Sequence, residues 1–381
     1  MRTPQKTLRL VVATPLGAHG RGGIDRLTDL IIETIDQRGD IEVKAVRLVT
    51  RGQKNICWAL VVFAQALVQF CIAAMCGKVD LIHIQLAWRG SAYRKLIIAA
   101  IARCLGIPYV VHLHAGQFDR FWATCGTFLR RRINRLFMDS AAIIVLGDYG
   151  ARVILDRLPT IRDKITILPN ASASPSQPNQ GRSDSERIRI TFLGRIEPEK
   201  GVPQLVDALG KLACRSDWTA TIAGNGDLQQ TRDHAQRLGI ADRVDFPGWL
   251  DPSETAALLQ RTDILALPSF VETLPMAVIE AFAYGVAVVA TPVGAVPEVV
   301  AHGRNGLLVP VGNIEALADA LNQLLENGEL RRRLGDSARR DHAERYEINA
   351  YITRLVSIWR KAARCDSSEI QGRRLPAENL K

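Results

Sequence analysis

The chain has 381 residues, of which 47% are apolar, 6% aromatic and 23% charged; this mixture excludes a disordered or fibrous protein and suits two globular domains of about 150–200 residues each. Lys and Arg exceed Asp and Glu by 49 − 39 = 10, so the surface favours anions, and the cations concentrate in Arg130, Arg131, Arg132 and Arg135 and again between 331 and 374. Seven cysteines without paired C-x-x-C spacing exclude a disulfide framework and a zinc site and read as the reduced thiols of a cytoplasmic protein.

The first apolar run, 8–13, stops at Pro15 and Gly17, too short for the core of a signal peptide, and reads as a buried strand. Gly17-Ala18-His19-Gly20-Arg21-Gly22-Gly23 follows, then a helix starting near Ile24 or Asp25. Glycines let a backbone approach a ligand, and the amides of a helix start favour an anion. After a second strand at Val43–Val49, residues 56–76 are almost uncharged and about long enough to cross a bilayer. Gln65 and Gln69 share one helical face by their i, i+4 spacing, so a helix packed on a sheet or touching a membrane is expected there, not a span.

Short apolar runs at 81–85, Tyr109–Leu113, 142–146 and 165–168 alternate with helical patterns, which predicts a parallel sheet sandwiched by helices. The second of these runs ends in Val111-His112-Leu113-His114-Ala115-Gly116, where the period of two puts both histidines on one face, His112 the deeper. Just beyond, Phe121, Trp122, Phe128 and Phe137 interleave with Arg120, Arg130, Arg131, Arg132 and Arg135. That segment offers apolar insertion and cationic attraction together, as docking on an anionic membrane surface requires.

Residues 170–184, rich in Ser, Pro, Asn and Gln, read as a linker. The expected division is 1–169, a first α/β domain; 170–184, the linker; 185–350, a second α/β domain; and 351–381, a helix returning to the first domain and a polar tail. The second domain repeats the strand–helix alternation at Ile188–Leu193, 219–223, 244–246, Ile264–Leu267 and 286–290. Ligands of open parallel sheets collect at the carboxyl ends of the strands, where two loops stand out. One carries Gly194, Arg195, Lys200 and Gly201: a guanidinium fork and a mobile ammonium, both suited to phosphate oxygens. The other carries Glu272, Thr273, Leu274 and Pro275 into a helix with Glu280, so that amides near Thr273 and Leu274 face a phosphate and Glu280 reaches ribose hydroxyls from among Met276, Ala277, Ala281 and Phe282.

Taken together, these motifs resemble the retaining glycosyltransferases called family 4. The matching pieces are G-R-x-x-x-x-K-G at 194–201, A-G-x-G at 223–226 and E-x7-E at Glu272 and Glu280. They continue with A-x-G-V-x-V-V-A-T-x-V-G at 283–294, Glu298 and G-x-x-G-L-L-V at 303–309. The resemblance implies the α/β GT-B fold, two doubly wound parallel-sheet domains facing each other across a cleft, 1–169 binding the acceptor and 185–350 the nucleotide sugar. It implies that Arg195 and Lys200 hold the donor diphosphate, that Glu272 and His114 contact the transferred sugar, that Glu280 binds the ribose, and that Gly22 and Gly23, with Gly194 and Gly224, bring backbone to the donor. The family often has glycine where Thr273 stands, which bears on donor geometry.

The expected activity is retaining transfer of a sugar from a nucleoside diphosphate sugar to a glycan or polyprenyl-diphosphate-linked acceptor, in polysaccharide or glycolipid synthesis, on the inner face of the plasma membrane and without nucleic acid. No D-x-D motif or metal-ligand spacing is present, so no cofactor is expected and catalysis should be metal-independent. Neither glycine loop has the dinucleotide fingerprint, which excludes an oxidoreductase. An epimerase of the same architecture lacks a second acid/base beside His114. A non-catalytic nucleotide-sugar-binding module would not need Arg195, Lys200, Glu272 and Glu280 together.

Overall fold

The computed structural model describes residues 6–18, 20, 22–52, 56–114, 116–175 and 187–372. His19 and Arg21 of the first glycine loop, Ala115, most of the expected linker and the polar tail lie outside the described residues. The apolar, β-branched runs form β1 (Leu8–Thr14), β2 (Val43–Val49), β3 (Leu81–Leu86), β4 (Tyr109–Leu113), β5 (Ala142–Val145) and β6 (Ile165–Ile167), all parallel, in the order β2-β1-β3-β4-β5-β6. They alternate with α1 (Gly23–Gln37), α2 (Ile56–Met75), α3 (Gly90–Cys104), α4 (Phe118–Thr124), α5 (Thr127–Met138) and α6 (Asp148–Leu155). Right-handed crossovers put α1, which carries the chain towards the β2 edge, on one face of the sheet and the later helices, which carry it the other way, on the opposite face.

The two faces differ in chemistry. Ile82, Ile84, Leu86, Val111 and Leu113 point into one apolar cluster with Phe63, Phe70, Ile98, Trp122 and Phe137. The alternate positions, His83, Gln85, His112 and His114, belong to the other face, as the period of a strand requires. Helix α2 packs by a single stripe, Ala59, Phe63, Ala66 and Phe70, spaced three and four apart. Gln65 and Gln69 are exposed. So are Leu60 (69%), Val68 (59%), Ile72 (54%) and Met75 (71%). By length and composition it is, among the described residues, a helix able to cross a bilayer.

The second series is β7 (Ile188–Leu193), β8 (Trp218–Ala223), β9 (Val244–Gly248), β10 (Ile264–Leu267), β11 (Ala287–Ala290) and β12 (Gly306–Leu308), parallel in the order β12-β11-β10-β7-β8-β9. Its helices are α7 (Val202–Lys211), α8 (Leu228–Arg237), α9 (Pro252–Gln260), α10 (Met276–Ala283), α11 (Val296–Val299), α12 (Ile314–Glu326) and α13 (Gly328–Asp341). A last helix, α14 (Ile348–Gly372), buries Tyr351, Ile352, Leu355, Trp359 and Ala362.

Contacts divide the chain into two compact units, residues 1–168 with 349–381 and residues 169–348. Residues 170–172, linker by composition, are built into the second unit. The Ser172 amide donates to the Tyr346 carbonyl at 3.0 Å, and Asn170 Nδ2 donates to the Leu274 carbonyl at 2.7 Å. Composition does not separate polar side chains that satisfy buried backbone from those that face water.

Candidate functional site

In the second unit the loops at the carboxyl ends of the strands are laced backbone to backbone. The Phe270 amide donates to the Glu199 carbonyl at 2.9 Å and the Ile196 amide to the Asn225 carbonyl at 2.7 Å. Gly194 donates to the Ala223 carbonyl and Gly224 to the Gly248 carbonyl, at 3.1 and 2.7 Å. Two glycines permit close approaches around Lys200 and Glu272. Gly201 has φ +71°, and a Cβ there would stand 2.0 Å from the Pro268 carbonyl oxygen; Gly294 has φ +58°, and its Cβ would stand 2.2 Å from the Glu272 carbonyl oxygen. The residue after Lys200 and the residue against Glu272 are therefore both glycine for a steric reason.

This lacing brings Lys200 and Glu272 together. Lys200 Nζ lies 2.6 Å from Glu272 Oε1, with the side chains 21% and 10% exposed. Ser269 Oγ donates to the same carboxylate oxygen at 3.0 Å, and the Ser269 carbonyl in turn accepts from the Thr291 hydroxyl. Arg195 stands apart from this pair: its side chain is 64% exposed and contacts Glu197 at 3.1 Å. Pro275 sits just before α10, at its N-cap position, Leu274 is buried, and Glu280 is buried on α10 among side chains that are all buried. Thr273 is half-buried, and its carbonyl accepts from the Ala295 amide at 2.8 Å, beside Gly294. Ser269 is the member of this site that sequence reasoning missed; its place in the loop three residues before Glu272 was the available signal.

Gly22, Gly23 and His114 belong to the first unit. Gly22 caps α1, and its carbonyl accepts from the Arg26 amide at 3.0 Å. Asp25, in the first turn, is 1% exposed and its Oδ1 accepts from the Leu16 amide at 3.0 Å, tying the glycine loop to the helix. Burial pushes its carboxyl up to about 6, against the lowering effect of that backbone donor.

His114 is half-buried at the end of β4, hydrogen-bonded through Nε2 to Gln85 Oε1, with its ring centroid 3.9 Å from that of His112. His112 Nδ1 lies 3.2 Å from Nε2 of the fully buried His83. Burial drives His83 to about 3; burial and then the neighbouring His83 drive His114 to about 3, and His112 also falls far below the ordinary imidazole range. All three are neutral at pH 7. His83 and Gln85 were not singled out from the sequence, although two polar residues at alternate positions of an apolar strand are a legible signal. Among the described residues, no group of three or more His, Cys, Asp and Glu side chains is built to hold a metal ion.

Residues 174–341 match the family model described as Glycosyl transferases group 1. The chain is 33% identical over 220 residues to the D-inositol 3-phosphate glycosyltransferase of Corynebacterium glutamicum (strain R), a match covering 52% of each protein. It is 35% identical over 223 residues to the phosphatidyl-myo-inositol mannosyltransferase of Mycobacterium leprae, covering 58% of this chain and 59% of that protein. The chain thus spans little more than half the length of these curated relatives. A solved Anabaena protein, HepE in complex with UDP-glucose, superposes with a TM-score of 0.71 at 18% identity, over 91% of this chain and 98% of that one. The fold is GT-B, and residues 174–341, most of the second unit, are similar to the group 1 glycosyltransferases.

Proposed function

On the premise of that similarity, we propose that this chain is a retaining glycosyltransferase moving a sugar from a nucleoside diphosphate sugar to a glycan or polyprenyl-diphosphate-linked acceptor, in cell-surface polysaccharide or glycolipid synthesis. The observation that carries the reading is the Lys200–Glu272 pair held on interlocked loops. As the glycosidic bond breaks, negative charge develops on the leaving diphosphate, and preorganised cations lower the barrier most. Lys200 needs only a side-chain rotation to leave Glu272 for a phosphate, and Arg195, exposed at the neighbouring loop, supplies a second cation. Glu272, released from Lys200, contacts the transferred sugar, Glu280 takes the ribose, and the role proposed for His114 is a contact to the sugar. The route is front-face, through an oxocarbenium-like state, and needs no metal. Relatives named as glycosyltransferases and a fold neighbour bound to UDP-glucose support the donor class.

Nucleotide sugars are screened by thermal stabilisation, where a ligand at about 100 times its Kd adds about 2.7 kcal/mol. With the donor found, Lys200→Ala and Arg195→Ala should each lower kcat/KM by about 10²-fold or more while leaving the fold intact. Wild-type kcat/KM in either variant, or activity abolished by chelator and restored by magnesium or manganese, would refute the assignment.

The setting we propose is a peripheral protein on the cytoplasmic, anionic face of the plasma membrane, its six described cysteines all being free. The docking surface differs from the aromatic–arginine segment expected from sequence. Trp122 and Phe137 are fully buried, Trp122 donating to Asn134 Oδ1 at 3.1 Å, because the α4–α5 turn folds its aromatics onto the sheet. What remains outside is Phe128, 72% exposed beneath Arg132, with Arg130, Arg131 and Arg135 exposed along α5. Helix α3 packs against both α5 and α2, and Leu60, Val68, Ile72 and Met75 of α2 are exposed as these cations are; the docking surface we propose combines the two sets. Apolar insertion by α2 and about 1 kcal/mol per arginine from α5 would act together. Co-sedimentation with liposomes should need anionic lipid, fall with salt, and drop both in Leu60→Ser/Ile72→Ser and when Arg130, Arg131 and Arg132 become Ser. Salt-insensitive binding, or none, would overturn the docking proposal.

A further inference from the structure

The polar face of the first sheet contains two hydrogen-bond chains that end on the histidine pair of β4. One starts on α14. Trp359 Nε1 donates to His83 Nδ1 at 2.7 Å, and an indole nitrogen is a donor only. His83, neutral and fully buried, therefore carries its proton on Nε2. That proton faces His112 Nδ1 at 3.2 Å, so His112 accepts there and carries its own proton on Nε2.

The other chain starts on α1. The Thr28 hydroxyl gives its single proton to the Ile24 carbonyl at 2.8 Å, so towards Gln85 it only accepts. Gln85 Nε2 donates to it at 3.3 Å, which turns the amide oxygen of Gln85 to His114. An amide oxygen accepts; the proton is on His114 Nε2, and Nδ1 is the basic nitrogen. The backbone positions of Thr28 and Ile24 in one helix, and of Trp359 in another, thus determine the tautomers of three rings on two strands.

We propose that Gln85 and Trp359 are positioning residues for His114: Gln85 fixes it as the Nε2–H tautomer, and Trp359, through His83, keeps the adjacent His112 in one neutral form beside it. In that tautomer the acceptor lone pair of His114 is on Nδ1, a form that matches a hydroxyl of the transferred sugar and not a phosphate oxygen. The identity of that hydroxyl as a sugar's rests on the function proposed above; the tautomers do not. The burial that drives His83 and His114 to about 3 keeps both rings neutral through the whole range in which such an enzyme works.

The test is nitrogen-15 NMR of the full-length protein with labelled histidine, where the two ring nitrogens of each neutral tautomer give distinct signals and no donor is required. Wild-type protein at pH 7.5 should show the Nε2–H pattern for His83, His112 and His114. Gln85→Leu should move His114 towards the other tautomer or an average of both and leave His83 unchanged, whereas Gln85→Glu, which keeps an acceptor oxygen opposite Nε2, should restore the pattern. Trp359→Phe should release His83 and His112. A His114 bearing its proton on Nδ1 in the wild type, or one unchanged by Gln85→Leu, would overturn the proposal. With a donor in hand, Gln85→Leu should lower kcat by about tenfold, the loss of one neutral hydrogen bond's worth of orientation, with KM little changed. An unchanged kcat would overturn the positioning role. If the NMR pattern holds while no nucleotide sugar is turned over, the glycosyltransferase reading fails and the tautomer assignment stands.

Discussion

Lowering the pH from 7 to 5 should loosen the first unit by an amount that the buried groups of its sheet define. His83 and His114 titrate near 3 in the folded chain against 6.5 for a free imidazole. Their folded pKa values are depressed, so the stability they contribute is present above about 6.5 and is lost as pH falls towards 3. By pH 5 the unfolded imidazole binds a proton that the folded one refuses, which costs about 2 kcal/mol for each ring relative to pH 7. Asp25 has the opposite sign. Its folded pKa is raised from 3.8 to about 6, so the folded chain takes the proton first and acidification to pH 5 returns about 1 kcal/mol. The balance is a loss of about 3 kcal/mol, with His112, also depressed, acting in the direction of the other histidines. Amide hydrogen exchange in β3 and β4, corrected for the intrinsic rate at each pH, reads this unit alone. Asp25→Asn, which keeps an acceptor for the Leu16 amide but has no charge to lose, should deepen the loss to about 4 kcal/mol. Opening free energies that stay constant or rise between pH 7 and pH 5 would refute the reasoning.

Gly294→Ala should lower Tm and impair donor binding together, because a Cβ 2.2 Å from the Glu272 carbonyl oxygen must displace the loop that carries Glu272; the expected cost is about 3 kcal/mol, and an unchanged Tm would show that the loop yields freely. Glu280→Gln should raise KM for the donor with kcat nearly constant, since a ribose contact is made equally in the ground and transition states; a fall in kcat at constant KM would move Glu280 to the sugar. Ser269→Ala should reduce kcat/KM by about tenfold by freeing the Glu272 carboxylate from one of its two partners, read by steady-state kinetics, and full activity would remove Ser269 from the site.

Strands and helices were legible in the chain because parallel strands buried on both faces are short apolar runs, and Gly, Pro and Asp punctuate them. The sheet order within each series, β2-β1-β3 and β10-β7-β8, is not written in any run; it follows from which crossover buries which helix face, a tertiary matter. The motif around Arg195, Lys200, Glu272 and Glu280 could be read as chemistry, since cations and carboxylates at strand ends have few other uses. That Lys200 is bound to Glu272 while Arg195 is bound to Glu197 could not, because a 2.6 Å contact between residues 72 positions apart depends on two loops meeting at Gly201 and Gly294.

The aromatics near α5 illustrate the same limit: alternation with arginines does not say which rings turn inward, and packing turned Trp122 and Phe137 into the core while leaving Phe128 outside. Residues 56–76 read as one apolar helix, but only the docking of Ala59, Phe63, Ala66 and Phe70 on the sheet determined which side remained for water or lipid. The sequence by itself determined the local periodicities, the breaks and the chemical types at the strand ends, which are properties of neighbours along the chain. Tertiary structure alone decided the partners of each polar group, because His83, Gln85, His112, Thr28 and Trp359 come from two strands and two helices, and burial makes every one of their hydrogen bonds matter.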